Sequence, residues 1–282
     1  MKKIIATVLL MYPFLLDNKM EPLTIIDQDQ VVAIIERDEL RMDLFYPPFL
    51  NELKLQSIYE QLYEVIYKEP VNARFDQHGQ IIKERSGITL HRAKLYMALL
   101  QYYFENEPTT IRVPKMVIYP RVDSELLVKI SEKKLNEYTT FYRESNRERS
   151  HNIFLSTEAI NNHVIFPGET FSFNEVVGER TKERGYLKAP VIVKGEFAED
   201  IGGGICQVSS TLYNAVDLQQ YIEIVERYSH SRTVPYVPPG RDATVSWWGP
   251  DFVFKNNHHH PILIRATAKH GAISIQIYST ED

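Results

Sequence analysis

The stretch Ile201-Gly-Gly-Gly-Ile-Cys206-Gln-Val-Ser-Ser-Thr-Leu-Tyr-Asn-Ala215 holds the only cysteine in a chain of 282 residues. Three consecutive glycines permit positive φ angles and close approach of other groups, which predicts a shaped loop over Gly202 to Gly204. A helix is expected next, because Gln207 to Ala215 lacks Gly and Pro and its apolar residues recur at helical spacing. Cys206 then lies at the helix N-terminus, where free N–H groups and the helix dipole lower the pKa of a thiol.

A lone cysteine also has a structural interpretation, since free cysteine is among the most buried residue types. Two later residues favour catalysis. His230 follows the β-rich run 221–225, and Asp242 follows His230 in a glycine-containing segment. A thiol, an imidazole that takes its proton and a third group that orients the imidazole are what nucleophilic catalysis requires. The orienting group is Asp242, Ser229, Ser231 or a backbone carbonyl.

Further motifs lie on both sides of the cysteine. They are Phe166-Pro-Gly-Glu-Thr-Phe-Ser-Phe-Asn174, Val177-Gly178, Gly185-Tyr186, Ala189-Pro190, Gly202 to Ala215, Glu226-Arg227, His230-Ser231, Tyr236-Val-Pro238, Gly240 and Asp242-Ala-Thr-Val245. Through these motifs the chain resembles the VanW family from about Tyr138 to Tyr278. Some VanW domains are cysteine-dependent L,D-transpeptidases that act on peptidoglycan. The resemblance implies this activity here, with Cys206 and His230 as the cysteine and histidine of the family motif.

The implied chemistry is acyl transfer between peptidoglycan stem peptides, which are the expected partners. The Cys206 thiolate attacks the carbonyl before a terminal D-alanine, His230 acts as base and acid, and Asp242 is the third catalytic candidate. A glycine-rich loop that enters a helix points N–H donors at an oxyanion. The candidate oxyanion and substrate-binding residues are Gly202, Gly203, Gly204, Gln207, Ser209 and Ser210. We expect no metal and no cofactor.

Two other functions fit the same residues. In the first, the domain is a non-catalytic peptidoglycan-binding envelope module linked to glycopeptide resistance, with Cys206 buried and the glycines present for packing. In the second, the protein is a cysteine hydrolase that trims the stem, because water reaches the acyl-enzyme before an amine does. All three functions use one set of residues, so the alternatives stay open.

The composition is that of a soluble globular protein, with 44% hydrophobic residues, 24% charged residues and a net charge of −5. Lys and Arg do not exceed Asp and Glu, and no nucleic-acid-binding motif is present, so we expect no nucleic-acid partner. The N-terminus, Met1-Lys-Lys3 followed by the apolar run Ile4 to Leu16, is typical of a secretory signal.

Residues 1–20 therefore predict a signal-like or membrane-proximal segment, membrane association through the N-terminus, and an extracytoplasmic protein, secreted or anchored at the cell envelope. The apolar run is too short to span a bilayer. A buried N-terminal strand or helix is the alternative.

We predict an α+β fold in which a small N-terminal α+β domain precedes a strand-rich VanW domain with a cysteine-bearing helix. The first domain covers residues 21–122 and the second covers 123–282. In the first domain, the pattern predicts a helix over Asn51 to Lys68, a helix capped by Thr89, and a strand over Thr109 to Tyr119 in which Pro114 marks an edge position or a bulge. The second helix presents the apolar face Ala93, Tyr96, Met97, Leu100 and Phe104. Pro70 to Phe75, Glu84 to Gly87 and the following helix resemble a peptidoglycan-binding domain.

In the second domain, Asp123 to Glu137 is predicted to be helical and Arg143 to Arg149 to form a solvated helical face. Strands are expected over Tyr221–Val225, Ala243–Trp247, Phe252–Phe254, Ile262–Ala266 and Ala272–Tyr278. The run His258-His-His260 is interpreted as a surface turn rather than a metal site, because adjacent side chains on a strand alternate in direction. We expect one of Trp247 and Trp248 to face inward.

Overall fold

The computed structural model of the protein describes residues 21–41, 50–193, 196–218 and 221–280. Helices and small sheets form an α+β fold, which confirms the predicted fold class. The chain divides into two compact units: the first comprises Met1–Val71 and Arg85–Tyr119, and the second comprises Asn72–Glu84 and Pro120–Asp282. The signal-like segment predicted over residues 1–20 lies outside the described residues. Within those residues, the helices are all too short or too polar to cross a membrane.

Short strands alternate with six α-helices in the described chain, and a 3₁₀-helix covers Arg37–Leu40. The helices are α1 (Glu52–Ile66), α2 (Arg92–Glu105), α3 (Ser124–Ile130), α4 (Arg147–Ile160), α5 (Phe173–Val177) and α6 (Ile205–Val216). The strands are β1 (Leu23–Asp27), β2 (Gln30–Ile35), β3 (Arg74–Phe75), β4 (Ile81–Ile82), β5 (Gly87–Leu90), β6 (Thr110–Arg112), β7 (Lys115–Ile118), β8 (Lys133–Phe141), β9 (His163–Ile165), β10 (Thr170–Ser172), β11 (Lys188–Val193), β12 (Glu196–Ile201), β13 (Ile222–Glu226), β14 (Val253–Asn256), β15 (Ile262–Lys269) and β16 (Ala272–Ser279).

The first unit packs α1 and α2 around small sheets. β1 pairs antiparallel with β2 and parallel with β6, and β5 pairs antiparallel with β7. The predicted helix over Asn51 to Lys68 is confirmed as α1, which begins after Asn51 because the side chain of that residue accepts a hydrogen bond from the Lys54 N–H. The predicted strand over Thr109 to Tyr119 is two strands, β6 and β7, separated at Pro114.

Two details of α2 differ from the prediction. Its N-cap is His91, whose ring nitrogen accepts from the Lys94 N–H, and not Thr89. Its buried residues are Leu95, Leu99 and Tyr102, whereas the predicted face includes Met97 and Phe104, which are both more than half exposed. The helix is apolar on two sides, and tertiary packing decides which side is buried.

The second unit is built on a four-stranded antiparallel sheet in the order β8-β16-β15-β9. On β16 the residues Ile273, Ile275 and Ile277 are fully buried and alternate with part-exposed neighbours, as a strand with one covered face requires. Helix α6 packs against this sheet and against α4. A second sheet has the order β10-β14-β13. The predicted strands that correspond to β13, β14, β15 and β16 are confirmed.

One predicted element of this unit is too long and another is wrong. The helix expected over Asp123 to Glu137 ends at Ile130, and the Lys- and Glu-rich segment after it is the edge strand β8. Pairing with β16 along nearly the whole of β8 outweighs the local helical preference of these charged residues. The strand expected over Ala243 to Trp247 is an irregular segment. This segment borders the candidate site.

Candidate active site

The three glycines shape a tight turn into α6. Gly202 and Gly204 have φ angles of +86° and +107°, a region that favours glycine. Gly203 lacks this strain, but a Cβ on it would lie 2.6 Å from the Ala189 carbonyl oxygen, so another segment of backbone occupies the space of a side chain. Every residue of α6 except Cys206 is buried. The turn therefore starts the helix so that Cys206 is the one part-exposed side chain.

The Cys206 sulfur lies among polar groups of the segment that follows β13. Its Sγ is 3.4 Å from the Val245 carbonyl oxygen and 3.8 Å from Thr244 Oγ1, and the His230 side chain interacts electrostatically with it. Burial alone would raise the pKa of the thiol. The interaction with His230 and the contacts with Val245 and Thr244 together outweigh burial, so the net pKa of Cys206 is below its ordinary value.

His230 is held in place by Asp242. Asp242 Oδ2 lies 2.7 Å from His230 Nδ1 and also accepts from the His230 backbone N–H at 2.6 Å. Both side chains are less than 10% exposed. With Nδ1 bound to the carboxylate, Nε2 is the ring nitrogen left for the sulfur. The structure thus gives Asp242 the orienting position that the sequence left open between Asp242, Ser229, Ser231 and a carbonyl.

Charge couples the three groups. Burial opposes protonation of His230, but the Cys206 thiolate and the Asp242 carboxylate raise the pKa of the imidazole above its ordinary value. Burial likewise opposes ionisation of Asp242, but hydrogen bonds from His230 hold the pKa of that carboxyl low. The opposite shifts of Cys206 and His230 favour a thiolate–imidazolium pair at rest.

Ser209 and Ser210, two predicted substrate-binding residues, are instead fully buried on α6. Ser209 Oγ donates to the Ala243 carbonyl oxygen at 2.6 Å, and Ser210 Oγ accepts from the Ala243 N–H at 2.9 Å. Asn214 Nδ2 adds a bond to the Arg241 carbonyl oxygen. These side chains fasten the segment on both sides of Asp242 to the helix that carries Cys206, so they position the site and do not line the cleft.

Gln207 also differs from its predicted role. Its side chain is buried, with Nε2 donating to Thr140 Oγ1 and to the Phe141 carbonyl oxygen and with Oε1 accepting from Arg149 Nη2 at 2.7 Å. Its backbone N–H bonds to the Gly204 carbonyl oxygen. No donor of Gln207 is therefore free to hold an oxyanion.

The backbone N–H groups of the glycine turn and of Cys206 are the remaining candidates to hold an oxyanion. The Gly202 N–H donates to the Leu187 carbonyl oxygen, whereas the N–H groups of Gly203, Gly204 and Cys206 have no hydrogen-bond acceptor in the described part of the chain. Free N–H groups at a helix start favour a negative charge. Gly203, Gly204 and Cys206 therefore keep N–H groups that no described acceptor uses.

Three site residues were missed by the sequence reasoning. Arg149 belongs to the run predicted to be solvated, and that prediction is wrong for it, because it is partly buried and bonds to Gln207. Arg180 is also partly buried, and both guanidiniums are attracted by the Cys206 thiolate. Tyr236 interacts electrostatically with Cys206, and burial raises the pKa of its phenol strongly. Only Tyr236 had a clue, since it starts one of the VanW motifs.

The predictions for the two tryptophans and for the run of three histidines have different outcomes. Trp247 and Trp248 are both exposed, at 37% and 89%, so the expectation that one faces inward is wrong. His258 to His260 form a bend, but His258 is buried. In the residues that the structure describes, no cluster of three or more His, Cys, Asp or Glu side chains is placed to hold a metal ion.

Comparison with known proteins gives three findings. The sequence model of the family described as VanW like protein matches residues 148–278. The chain is 50% identical over 271 residues to uncharacterized protein YoaR of Bacillus subtilis (strain 168), which covers 95% of this chain and 89% of that protein. It is 32% identical over 113 residues to vancomycin B-type resistance protein VanW of Enterococcus faecalis (strain ATCC 700802 / V583). This second alignment covers 38% of this chain and 40% of that protein. No solved structure matches.

Proposed function

The chain belongs to the VanW family, and from this membership and the geometry around Cys206 we propose that it acts on peptidoglycan stem peptides by cysteine-dependent acyl transfer. The membership supports a cell-wall role related to glycopeptide resistance, because one relative is a vancomycin resistance protein. The observation that carries the chemical part is the arrangement in which Cys206 interacts with His230 and the His230 ring is hydrogen-bonded to Asp242.

The positions of these groups support the following reaction. The Cys206 thiolate forms a bond to the carbonyl carbon of an amide, and the N–H groups of Gly203, Gly204 and Cys206 hold the oxyanion. The C–N bond breaks as His230 gives its proton to the leaving amine. An amine of a neighbouring stem, or water, then attacks the thioester, with His230 as the base. Asp242 keeps the imidazole oriented and stabilises its charged form.

Transfer is the reaction that we propose, with L,D-transpeptidase-like specificity for the bond before a terminal D-residue. Mature stem peptides lie outside the cytoplasm, so we place the protein there, at the cell envelope. The charged and apolar N-terminus supports this placement. The resemblance of the first unit to a peptidoglycan-binding domain stays a prediction, because the family match begins at residue 148.

One assay tests the proposal. Purified protein is incubated with disaccharide tetrapeptides, and the products are weighed by mass spectrometry. Cross-linked dimers support transfer, whereas monomers that lack the terminal residue show a hydrolase instead. Unchanged tetrapeptide, in the presence of measurable binding to peptidoglycan, would mean a binding module and would overturn the proposal. Cys206→Ser is the control, because it keeps a small polar atom and removes the thiolate.

A further inference from the structure

Two arginines flank the glycine turn beside Cys206. A Cβ on Gly204 would lie 2.8 Å from Arg149 Cγ, and a Cβ on Gly202 would lie 3.2 Å from Arg180 Cβ and Cγ. The glycines therefore leave room for an arginine stem on each side of the turn. Arg149 reaches the turn from α4, and Arg180 reaches it from the loop after α5. Both guanidiniums interact electrostatically with Cys206.

Neither arginine has a carboxylate partner in the described part of the chain. Arg149 Nη2 donates to the neutral Gln207 amide, and Arg180 Nη2 donates to the neutral Asn174 amide, each at 2.7 Å. Elsewhere the chain does pair such groups, as in Arg241 with Asp217 at 2.6 Å. A partly buried guanidinium that has no carboxylate within ion-pair distance costs free energy to keep, and an anionic ligand would offset that cost.

Two further observations concern Arg180. Its Nη1 is buried and has no hydrogen-bond partner among the described residues. Asp251 attracts the guanidinium, but no ion pair joins them within 4.0 Å in that part of the chain. The Asp251 oxygens instead accept from Ser172 Oγ and from the N–H groups of Asn174 and Phe252. Arg180 thus keeps donor capacity that no described carboxylate uses.

We propose that Arg149 and Arg180 bind the carboxylate of the residue that leaves, so that the protein cuts only the last amide bond of a peptide with a free C-terminus. The inference rests on the proposed function and specifies its substrate class. When Sγ bonds to the carbonyl carbon and the C–N bond breaks, the leaving group is a free amino acid that takes its proton from His230. Its carboxylate lies one residue, or about 4 Å, beyond the attacked carbon. Arginine forks suit a carboxylate at such a place.

The first test uses the cysteine itself and needs no peptide turnover. Iodoacetate and iodoacetamide alkylate the same thiolate but differ by one negative charge, and every label lies on Cys206 because the chain has no other cysteine. At an ordinary thiolate the anionic reagent is the slower one, because like charges repel. We expect the folded protein to favour iodoacetate by about tenfold, the effect of one charge-assisted hydrogen bond.

Variants assign this preference to the arginines. Arg149→Gln and Arg180→Gln should each reduce the iodoacetate to iodoacetamide rate ratio by about threefold to tenfold, since each removes one donor fork. Arg147→Gln is the matched control, because it removes the same charge from an exposed position on the same helix, and its ratio should equal that of the native protein. Arg149→Lys and Arg180→Lys keep the charge if the glutamine variants fail to fold. A native ratio that favours iodoacetamide, as in the urea-unfolded chain, overturns the proposal.

The second test identifies the carboxylate. Tetrapeptide stems that end in a free acid or in a carboxamide are compared by kcat/KM, and we expect the acid to be favoured by about a hundredfold. Equal rates would contradict the inference while leaving the proposed function intact. Absence of turnover together with an alkylation ratio that favours iodoacetate would instead overturn the proposed function and support the carboxylate site. The two failures are therefore distinguishable.

Discussion

At the scale of single residues, Cys206 is under two opposing influences. Burial favours the neutral thiol, whereas His230 and the start of α6 favour the thiolate. The second influence prevails at Cys206. Burial opposes protonation of His230, but Cys206 and Asp242 raise the pKa of its imidazole. Arg149 and Arg180 add positive charge near the sulfur. A cysteine that served only for packing would need none of these groups.

Replacing Cys206 should separate chemistry from packing. We expect Cys206→Ala to reduce product formation by at least about a thousandfold, since the nucleophile is gone. The melting temperature should change by only a few degrees, because the sulfur is part-exposed and alanine suits a first helical turn. Mass spectrometry of products and thermal denaturation measure the two effects. A large loss of stability with unchanged peptidoglycan binding would instead show a structural cysteine.

The pH dependence of Cys206 labelling tests its link to His230. The folded pKa of the thiol is lowered, so the thiolate stabilises the fold fully above the unfolded pKa of about 8.5, and this contribution is lost as the pH falls through the folded value. For His230, whose pKa is raised, the imidazolium stabilises the fold fully below about pH 6.5, the unfolded pKa, and this stabilisation is lost as the pH rises through the folded pKa. Iodoacetamide labelling of the folded protein should therefore reach its midpoint below pH ~8.5.

His230→Ala should move that midpoint upward, because burial then acts on the thiol without the imidazolium. His151→Ala is the control, since His151 lies on α4, is exposed and bonds to the Gly185 carbonyl oxygen. Labelling rates measured from pH 5 to pH 10 by mass spectrometry give the midpoints. If both variants kept the native profile, His230 would not be the partner of the sulfur.

At the scale of elements, the turn before α6 is constrained by backbone and by neighbours. Gly204→Ala combines a strained φ with a Cβ only 2.8 Å from Arg149 Cγ. Gly203→Ala has no strained φ, but its Cβ would lie 2.6 Å from the Ala189 carbonyl oxygen, a backbone atom that cannot move aside. We expect each to lower the free energy of unfolding by about 2 to 4 kcal/mol and to abolish labelling selectivity. Gly168→Ala, with a φ of +79° and no atom within 4 Å, should cost only about 1 kcal/mol. Urea denaturation ranks the three, and an equal cost would contradict the steric argument.

The sequence predicted those elements whose local pattern and packing agree. Helix α6 and strands β13 to β16 have periodic apolar residues and clear ends, so they were found. Strand β8 was missed because a Lys- and Glu-rich edge strand and a solvated helix share one composition. Cys206 and His230 were singled out through motifs, and only the structure shows that the Asp242 carboxylate lies against the His230 ring. Arg149 was hidden in a charged run, because only the fold shows which side of a helix meets the turn.

At the scale of the whole molecule, the order of the chain does not follow the two units. Residues 72–84, including the hairpin of β3 and β4, belong to the second unit, although first-unit segments lie on both sides of them in sequence. The Ala73 N–H donates to the Val122 carbonyl oxygen, and Phe75 exchanges two hydrogen bonds of 3.0 Å with the Asn162 side chain. Ala73 also shares a buried cluster with Leu127. The second unit is therefore completed by a segment far from the rest of it in sequence.

This connectivity predicts that a fragment of residues 120–282 is less stable than the same unit in the full chain. The Asn162→Gly variant of the full chain isolates the hairpin contacts, because Asn162 has a φ of +63° that glycine adopts without strain, so only the two bonds to Phe75 are lost. We expect it to lower the melting temperature by about 2 to 8 °C, the effect of one to two kcal/mol. His270→Gly is the control, since His270 has a φ of +51° and lies in a β-turn away from the hairpin of β3 and β4, and it should not lower the melting temperature.

The fragment should melt at or below the temperature of Asn162→Gly, because it lacks the whole hairpin. A fragment as stable as the full chain would show that residues 72–84 only lie on the second unit and contribute nothing to its fold.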